Sequence, residues 1–181
     1  PRRSSDLIGD IRDPIRVDEV MYGVDLVVHA AAMKHVPSGE LNPFECIRTN
    51  VEGARNLALA ANRNGVERFV ALSSDKAVSP TTLYGASKFA MERVLLQANN
   101  SGKSKFSIVR YANVFGSSGS VVPFFLRERD KGVLPVTDPG MTRFSITMRE
   151  GIELVLYALG EGLGGEIVRS EEHTSELQSR A

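Results

Sequence analysis

The run Phe69-Val70-Ala71-Leu72-Ser73, followed at once by Ser74-Asp75-Lys76, decides the fold. Five apolar or small residues without polar alternation read as a strand covered on both faces, and the polar triplet marks its end. Immediately upstream lies a helical pattern. Asn42 is a plausible cap, Pro43 suits the first helical position, and Ile47, Val51, Ala54, Ala58 and Ala61 recur at helical spacing until Asn64-Gly65 stops them. Downstream, the Ser79-Pro80 break is followed by a second helix over 83–97. Farther out, 25–31 and 106–111 read as two more buried strands, and 123–129 and 148–159 as further helical segments. Strands alternating with helices of this length imply right-handed crossovers and a parallel sheet with helices on both faces. The expected class is α/β, a doubly wound, Rossmann-like parallel sheet. In such sheets ligands sit beyond the carboxyl ends of the strands, which directs attention to Ala30 to His35, Ser73 to Lys76 and Tyr111 to Asn113.

Composition narrows the partners. The 181 residues are 42% hydrophobic and 24% charged, with 22 basic against 22 acidic side chains, so no net charge draws the chain to nucleic acid or to an anionic membrane. No apolar run approaches the roughly 20 residues of a membrane span. The single cysteine, Cys46, permits neither an internal disulfide nor a cysteine-based zinc cluster, and a reducing, cytoplasmic setting fits. His29, His35 and His173 do not form a metal set, and no metal is expected. The expected partner is a small molecule or another protein.

The ends read differently from the middle. Pro1 to Ser5 lacks the apolar segment of a signal peptide. Residues 169–181 are polar, lack a core face and read as the conceptual translation of a sequencing adapter, so the organised region is taken as 1–168 and the rest as an artefactual or disordered tail. Gly160-Glu161-Gly162-Leu163-Gly164-Gly165 satisfies G-x-G-x-x-G literally but follows a helix and precedes a strand, the reverse of the dinucleotide-binding context, and reads as a helix-ending loop.

The chemistry-bearing constellation is Ser74-Asp75-Lys76 at a strand end and Tyr84-Gly85-Ala86-Ser87-Lys88 opening the next helix. The i, i+4 spacing puts Tyr84 and Lys88 on one helix face. A phenol beside an ammonium is expected to have a lowered pKa, which makes it a usable base for a hydroxyl proton during hydride transfer, with the strand-end serine sharing that proton. Cys46, inside the Pro43 helix, reads as a small buried apolar residue.

These residues resemble the extended short-chain dehydrogenase/reductase superfamily, and within it the inverting UDP-N-acetylglucosamine 4,6-dehydratases of pseudaminic acid and polysaccharide biosynthesis. The resemblance runs from Ile8 to Val168 and rests on segments in one order: Ala30-Ala31-Ala32-Met33-Lys34-His35-Val36-Pro37, Thr49-Asn50-Val51-Glu52-Gly53, Ser74-Asp75-Lys76-Ala77, Leu83 to Lys88, Arg110-Tyr111-Ala112-Asn113-Val114, Gly119 to Phe125, and Thr137 to Phe144. It implies catalytic roles for Ser74, Tyr84 and Lys88, with Asp75 as acid and Lys76 as base in the elimination. It implies cofactor contacts from Asp10, Ile11, Ala30, Ala31, Ala32, Lys34, Asn50, Tyr84 and Lys88, the cofactor being NADP, with NAD as the other possibility. Asn113, Ser120, Val121, Pro123 and Arg143 would hold a UDP-sugar, Arg143 by its planar array of donors. Hydride leaves sugar C4, water is lost across C5 and C6, and hydride returns to C6 with inversion at C5. A homo-oligomer is expected by the same resemblance. Two alternatives stay open: a UDP-sugar 4-epimerase, which has no need of an acid and base at Asp75 and Lys76, and a non-catalytic dinucleotide or nucleotide-sugar sensor on the same fold. The resemblance also leads one to expect a further strand-loop-helix with the phosphate-binding glycines upstream of Pro1, and no turnover from these 181 residues alone.

Overall fold

A computed structural model describes residues 7–117 and 119–169. In chain order the elements are α1 (Pro14–Met21), β1 (Leu26–His29), α2 (Val36–Leu41), α3 (Pro43–Ile47), a π-helical turn (Arg48–Glu52), α4 (Gly53–Asn64), β2 (Arg68–Ser74), α5 (Leu83–Ser101), β3 (Lys105–Tyr111), β4 (Asn113–Val114), α6 (Val121–Glu128), β5 (Ser145–Ile146), α7 (Met148–Glu161) and β6 (Ile167–Arg169). The main sheet has the order β1-β2-β3-β6 and every pairing in it is parallel. The fold is therefore the α/β parallel sheet that the alternation of strands and helices implies. Strands β4 and β5 form a separate two-stranded parallel pair.

Helices cover both faces of the main sheet. On one side α4 and α5 pack against it, with α1 resting on α4, around a core that includes Leu57, Phe69, Met91, Leu95, Phe106 and Ile108. Phe69 and Phe106, neighbours in the β2–β3 register, tilt against each other with ring centroids 5.0 Å apart. On the other side α7 lies over Val70, Val109 and Val168. The carboxyl ends of β2 and β3 finish together, Ser74 opposite Tyr111, and this register sets the floor of the site.

Two helices escaped the sequence reading. Helix α1 opens on Asp13-Pro14, where the Asp13 carboxylate accepts from the amides of Ile15 and Arg16, and α2 opens on His35-Val36-Pro37. The reading of 42–64 as one helix needs a correction at its centre. The π turn over Arg48–Glu52 is wider than an α turn and rotates the buried stripe, so Cys46 and Asn50 are fully enclosed while Ile47, expected in the core, is 40% exposed. The glycine-rich segment behaves as a loop: α7 ends at Glu161, and Gly164 and Gly165 take positive φ before β6. Arg169, grouped above with the tail, is the last residue of β6 and pairs with Arg110. The remainder of that tail, 170–181, lies outside the described residues.

Candidate active site

Beyond the carboxyl ends of β2 and β3 opens a cavity of about 750 Å³. Ser74 reaches it from the end of β2, Tyr84 and Lys88 from the first turns of α5, and Ala30, Ala32 and Lys34 from the segment after β1. Asn113 and Ser120 complete the opposite wall, and α7 contributes an apolar side through Ile152, Val155 and Leu159.

Helix α5 starts where it does because its first amides are satisfied. The Thr82 hydroxyl accepts from the Gly85 amide at 3.2 Å, and a Glu40 oxygen from α2 accepts from the Leu83 amide at 2.8 Å. This start aims Tyr84 and Lys88 into the cavity. Gly85 lets the helix approach the strand end. A Cβ there would lie 2.3 Å from the Lys76 carbonyl oxygen and 3.0 Å from Pro80 Cβ. Gly85→Ala is therefore expected to push α5 away from the Asp75-Lys76 turn and to destabilise the fold by about 1–3 kcal/mol, read as a lower urea midpoint.

Ser74, Asp75, Lys76 and Asn113 form one hydrogen-bonded chain, and Tyr84 lies beside it. The Ser74 hydroxyl donates to Asp75 Oδ1 at 2.9 Å. Lys76 Nζ donates to the same oxygen at 2.9 Å and to Asn113 Oδ1 at 3.0 Å. Asn113 Nδ2 in turn donates to the Phe144 carbonyl at 3.1 Å, tying the site to the segment before β5. Lys88 is 3% exposed, and its ammonium donates to the Leu72 carbonyl at 2.7 Å. Burial brings its pKa down to about 8, partly opposed by the Glu92 carboxylate.

One electrostatic expectation is corrected. The Tyr84 phenol is held above its ordinary range, not below it, because burial outweighs the hydrogen bond from Ser74. The ammonium that was to lower it is itself buried and turned to a backbone carbonyl.

The other residues singled out from the sequence divide between the cavity and its surroundings. Asp10, Ile11, Ala31, Asn50 and Asp75 do not line it, nor do Val121, Pro123 and Arg143. The Asp10 carboxylate is gripped by the Arg12 guanidinium and amide, which hold it at about 2, and Arg12 also pairs with Glu45. Ile11 packs against the core, close to Gly53. Asn50 is fully buried and spends its amide on protein groups. It accepts from the Met33 amide at 2.8 Å and donates to the Met33 carbonyl at 3.1 Å and to Ser87 Oγ at 2.9 Å. Ser87 passes this on to the Tyr84 carbonyl at 2.8 Å, so Asn50 clamps the segment after β1 to the turn of α5 that carries Tyr84. Arg143 donates to its neighbour, the Thr142 carbonyl, in an exposed loop. Tyr111, to which its position at the end of the third strand drew attention, does line the cavity. Sequence reasoning missed the α7 wall, because no local pattern tells which helix face meets a cavity.

Among the described residues no group of histidine, cysteine and acidic side chains has metal-binding geometry, and no helix is long and apolar enough to cross a membrane.

Comparison with known proteins agrees with this geometry. A sequence family described as polysaccharide biosynthesis protein matches residues 2–176. The chain is 49% identical over 165 residues to a UDP-N-acetylglucosamine 4,6-dehydratase (inverting) of Campylobacter jejuni, covering 88% of this chain and 49% of that protein. It is 42% identical over 180 residues to a UDP-glucose 4-epimerase of Rickettsia conorii, covering 96% of this chain and 53% of that protein. It thus spans about half the length of the curated relatives it matches. Among solved structures, a double mutant of DesIV, a dTDP-glucose 4,6-dehydratase from Streptomyces venezuelae with NAD and DAU bound, superposes with a TM-score of 0.82 at 26% identity, over 89% of this chain and 56% of that one.

Proposed function

The chain belongs to the polysaccharide biosynthesis protein family, and from that premise we propose that it is the catalytic part of a nicotinamide-dependent 4,6-dehydratase of a UDP-N-acetylhexosamine, inverting at C5. The observation that carries this reading is that Ser74, Lys76, Tyr84, Lys88 and Asn113 line one cavity, with Asp75 hydrogen-bonded to both Ser74 and Lys76.

The residues present fit the nicotinamide end of a dinucleotide. Ala30 and Ala32 leave room for close approach, Lys34 supplies a cation, and Tyr84 and Lys88 would hold the nicotinamide ribose. NADP is the proposed form, with NAD as the alternative that the dehydratase structure from Streptomyces venezuelae supports. A nicotinamide held there would supply a reversible hydride acceptor for the sugar. Tyr84, as phenolate, takes the proton of the C4 hydroxyl, and Ser74 donates a hydrogen bond to the developing oxyanion.

A ketone at C4 acidifies the C5 proton, and Lys76 in its neutral form is the base that takes it. Asp75 in its neutral form protonates the departing C6 hydroxyl. The 2.9 Å ion pair between the two already holds the needed proton. Its transfer from Lys76 to Asp75 yields a neutral amine and a neutral acid, and exclusion of water by a bound sugar favours that uncharged form. Asn113 keeps the Lys76 amine pointed at the pocket. Asn113 and Ser120 would contact the UDP-sugar, and Val121, Pro123 and Arg143 would join them on closure of 119–147 over the substrate. Asp10, Ile11 and Asn50 would act from the rim or from behind the cofactor. The protein is proposed to work as a homo-oligomer in the cytoplasm.

Incubation of the full-length gene product with UDP-N-acetylglucosamine and NADP tests the reading by mass spectrometry. A product lighter by one water is expected, and Asp75→Asn should abolish that loss. Turnover without mass change, unaffected by Asp75→Asn, would replace the dehydratase by a 4-epimerase, the activity named for the Rickettsia relatives.

A further inference from the structure

Helix α5 carries a third polar residue on the Tyr84-Lys88 face. Glu92 lies one turn beyond Lys88 and is fully buried. It accepts from the Ser73 hydroxyl at 2.6 Å, from Arg110 Nε at 2.7 Å and from Arg110 Nη2 at 2.5 Å. Ser73 and Arg110 are register partners near the ends of β2 and β3, each directly preceding a residue that lines the cavity, Ser74 and Tyr111. One carboxylate therefore fastens both strand ends to the helix that carries the proposed base.

Burial of a carboxylate and a guanidinium is unfavourable unless something requires it, and an apolar pair of the same volume would pack here as well. We propose that Glu92 is a positioning residue: it sets a carboxylate one turn from Lys88 on the same face of α5 and, through Ser73 and Arg110, fixes the strand ends that present Ser74 and Tyr111. The inference rests on the reading of Tyr84 and Lys88 as the hydride-transfer pair. The charged and titratable groups around this point are few. Lys88 faces Glu92 along α5, Arg110 faces it from β3, and His29 on β1 faces Lys88 from the edge of the sheet. Glu92 is the carboxylate that favours a charge on Lys88, whereas burial opposes it.

The test reads Lys88 directly, apart from turnover. In the full-length gene product labelled with isotopic lysine, the Lys88 side-chain resonance, assigned by its loss in Lys88→Met, is followed by NMR against pH. Glu92→Gln keeps the shape and removes the charge, and should lower the Lys88 midpoint by roughly one pH unit or more. Glu92→Asp keeps the charge and should leave the midpoint close to that of the unsubstituted protein. If Glu92→Gln does not fold, the double variant Glu92→Gln/Arg110→Gln, which leaves no unpaired buried charge, carries the same expectation. An unchanged midpoint in any folded charge-removing variant overturns the proposal. In turnover assays Glu92→Gln should lower kcat with KM retained, while equal losses in both that follow the folded fraction would mark a purely structural residue. Absence of turnover in the unsubstituted protein would count against the dehydratase reading and would leave the titration to decide the role of Glu92.

Discussion

Tyr84→Phe in the full-length gene product is expected to lower kcat by about a thousandfold with little change in KM, the loss typical of removing a general base from a site that still binds its substrate. The substitution deletes one oxygen. The ring continues to fill its half-buried place at the start of α5, and the cap from Thr82 and the brace from Glu40 stay intact. What disappears is the proton acceptor beside Ser74 on the cavity wall.

The pH profile carries a signature of the same geometry. Because burial holds the phenol above its ordinary range, the reactive phenolate grows with pH across neutrality, and kcat should climb. The phenylalanine variant should lack this rising limb. Retention of more than roughly a tenth of the rate, or an unchanged profile, would remove Tyr84 from the role of base.

Acid should weaken the fold through His29. The imidazole is 3% exposed, its Nε2 has no partner among the described residues, and burial next to the Lys88 ammonium holds its pKa at about 4 against an ordinary 6.5. Between these values the unfolded chain takes up a proton that the folded chain refuses, so stability falls as pH falls through the window. By pH 4 the loss amounts to about 3 kcal/mol. The shifted carboxylates act lower: Asp10 titrates between 3.8 and about 2, and Glu150 is lowered from 4.5. The interval from 4.5 to 6.5 therefore belongs to His29 among the described groups with shifted values. Urea unfolding of His29→Leu at a series of pH values should show a nearly flat dependence there, and a slope equal to that of the unsubstituted chain would assign the effect elsewhere.

The sequence announces what local chemistry determines. Continuous apolar strands bounded by polar turns led to the parallel sheet, and the strand-end serine with the Tyr84-Lys88 spacing led to residues that do line one cavity. Three things lay beyond that reach. The π turn depends on how Asn50 meets the Met33 backbone, a contact between segments distant in sequence. The upward shift of Tyr84 depends on burial, which spacing does not reveal, and the Lys88 ammonium that the spacing does reveal is turned to the Leu72 carbonyl. The Glu92, Arg110 and Ser73 cluster joins a helix and two strands, and its residues individually look like ordinary surface polar groups.

The wide turn at 48–52 also constrains how this chain can tolerate change in length. An α-helix advances by about 100° per residue, and the wider turn takes up one surplus residue: deleting one residue with return to regular winding would leave the two halves in phase, whereas regular winding with every residue kept would swing everything before the turn around the axis by about that angle. Cys46 and the helix start would then face a different quarter from Ala54, Ala58 and Ala61. The surplus residue acts as a phase adjuster: the downstream half is keyed to the hydrophobic interior and the upstream half to the loop behind the cavity, and neither can be retimed without the other losing its alignment.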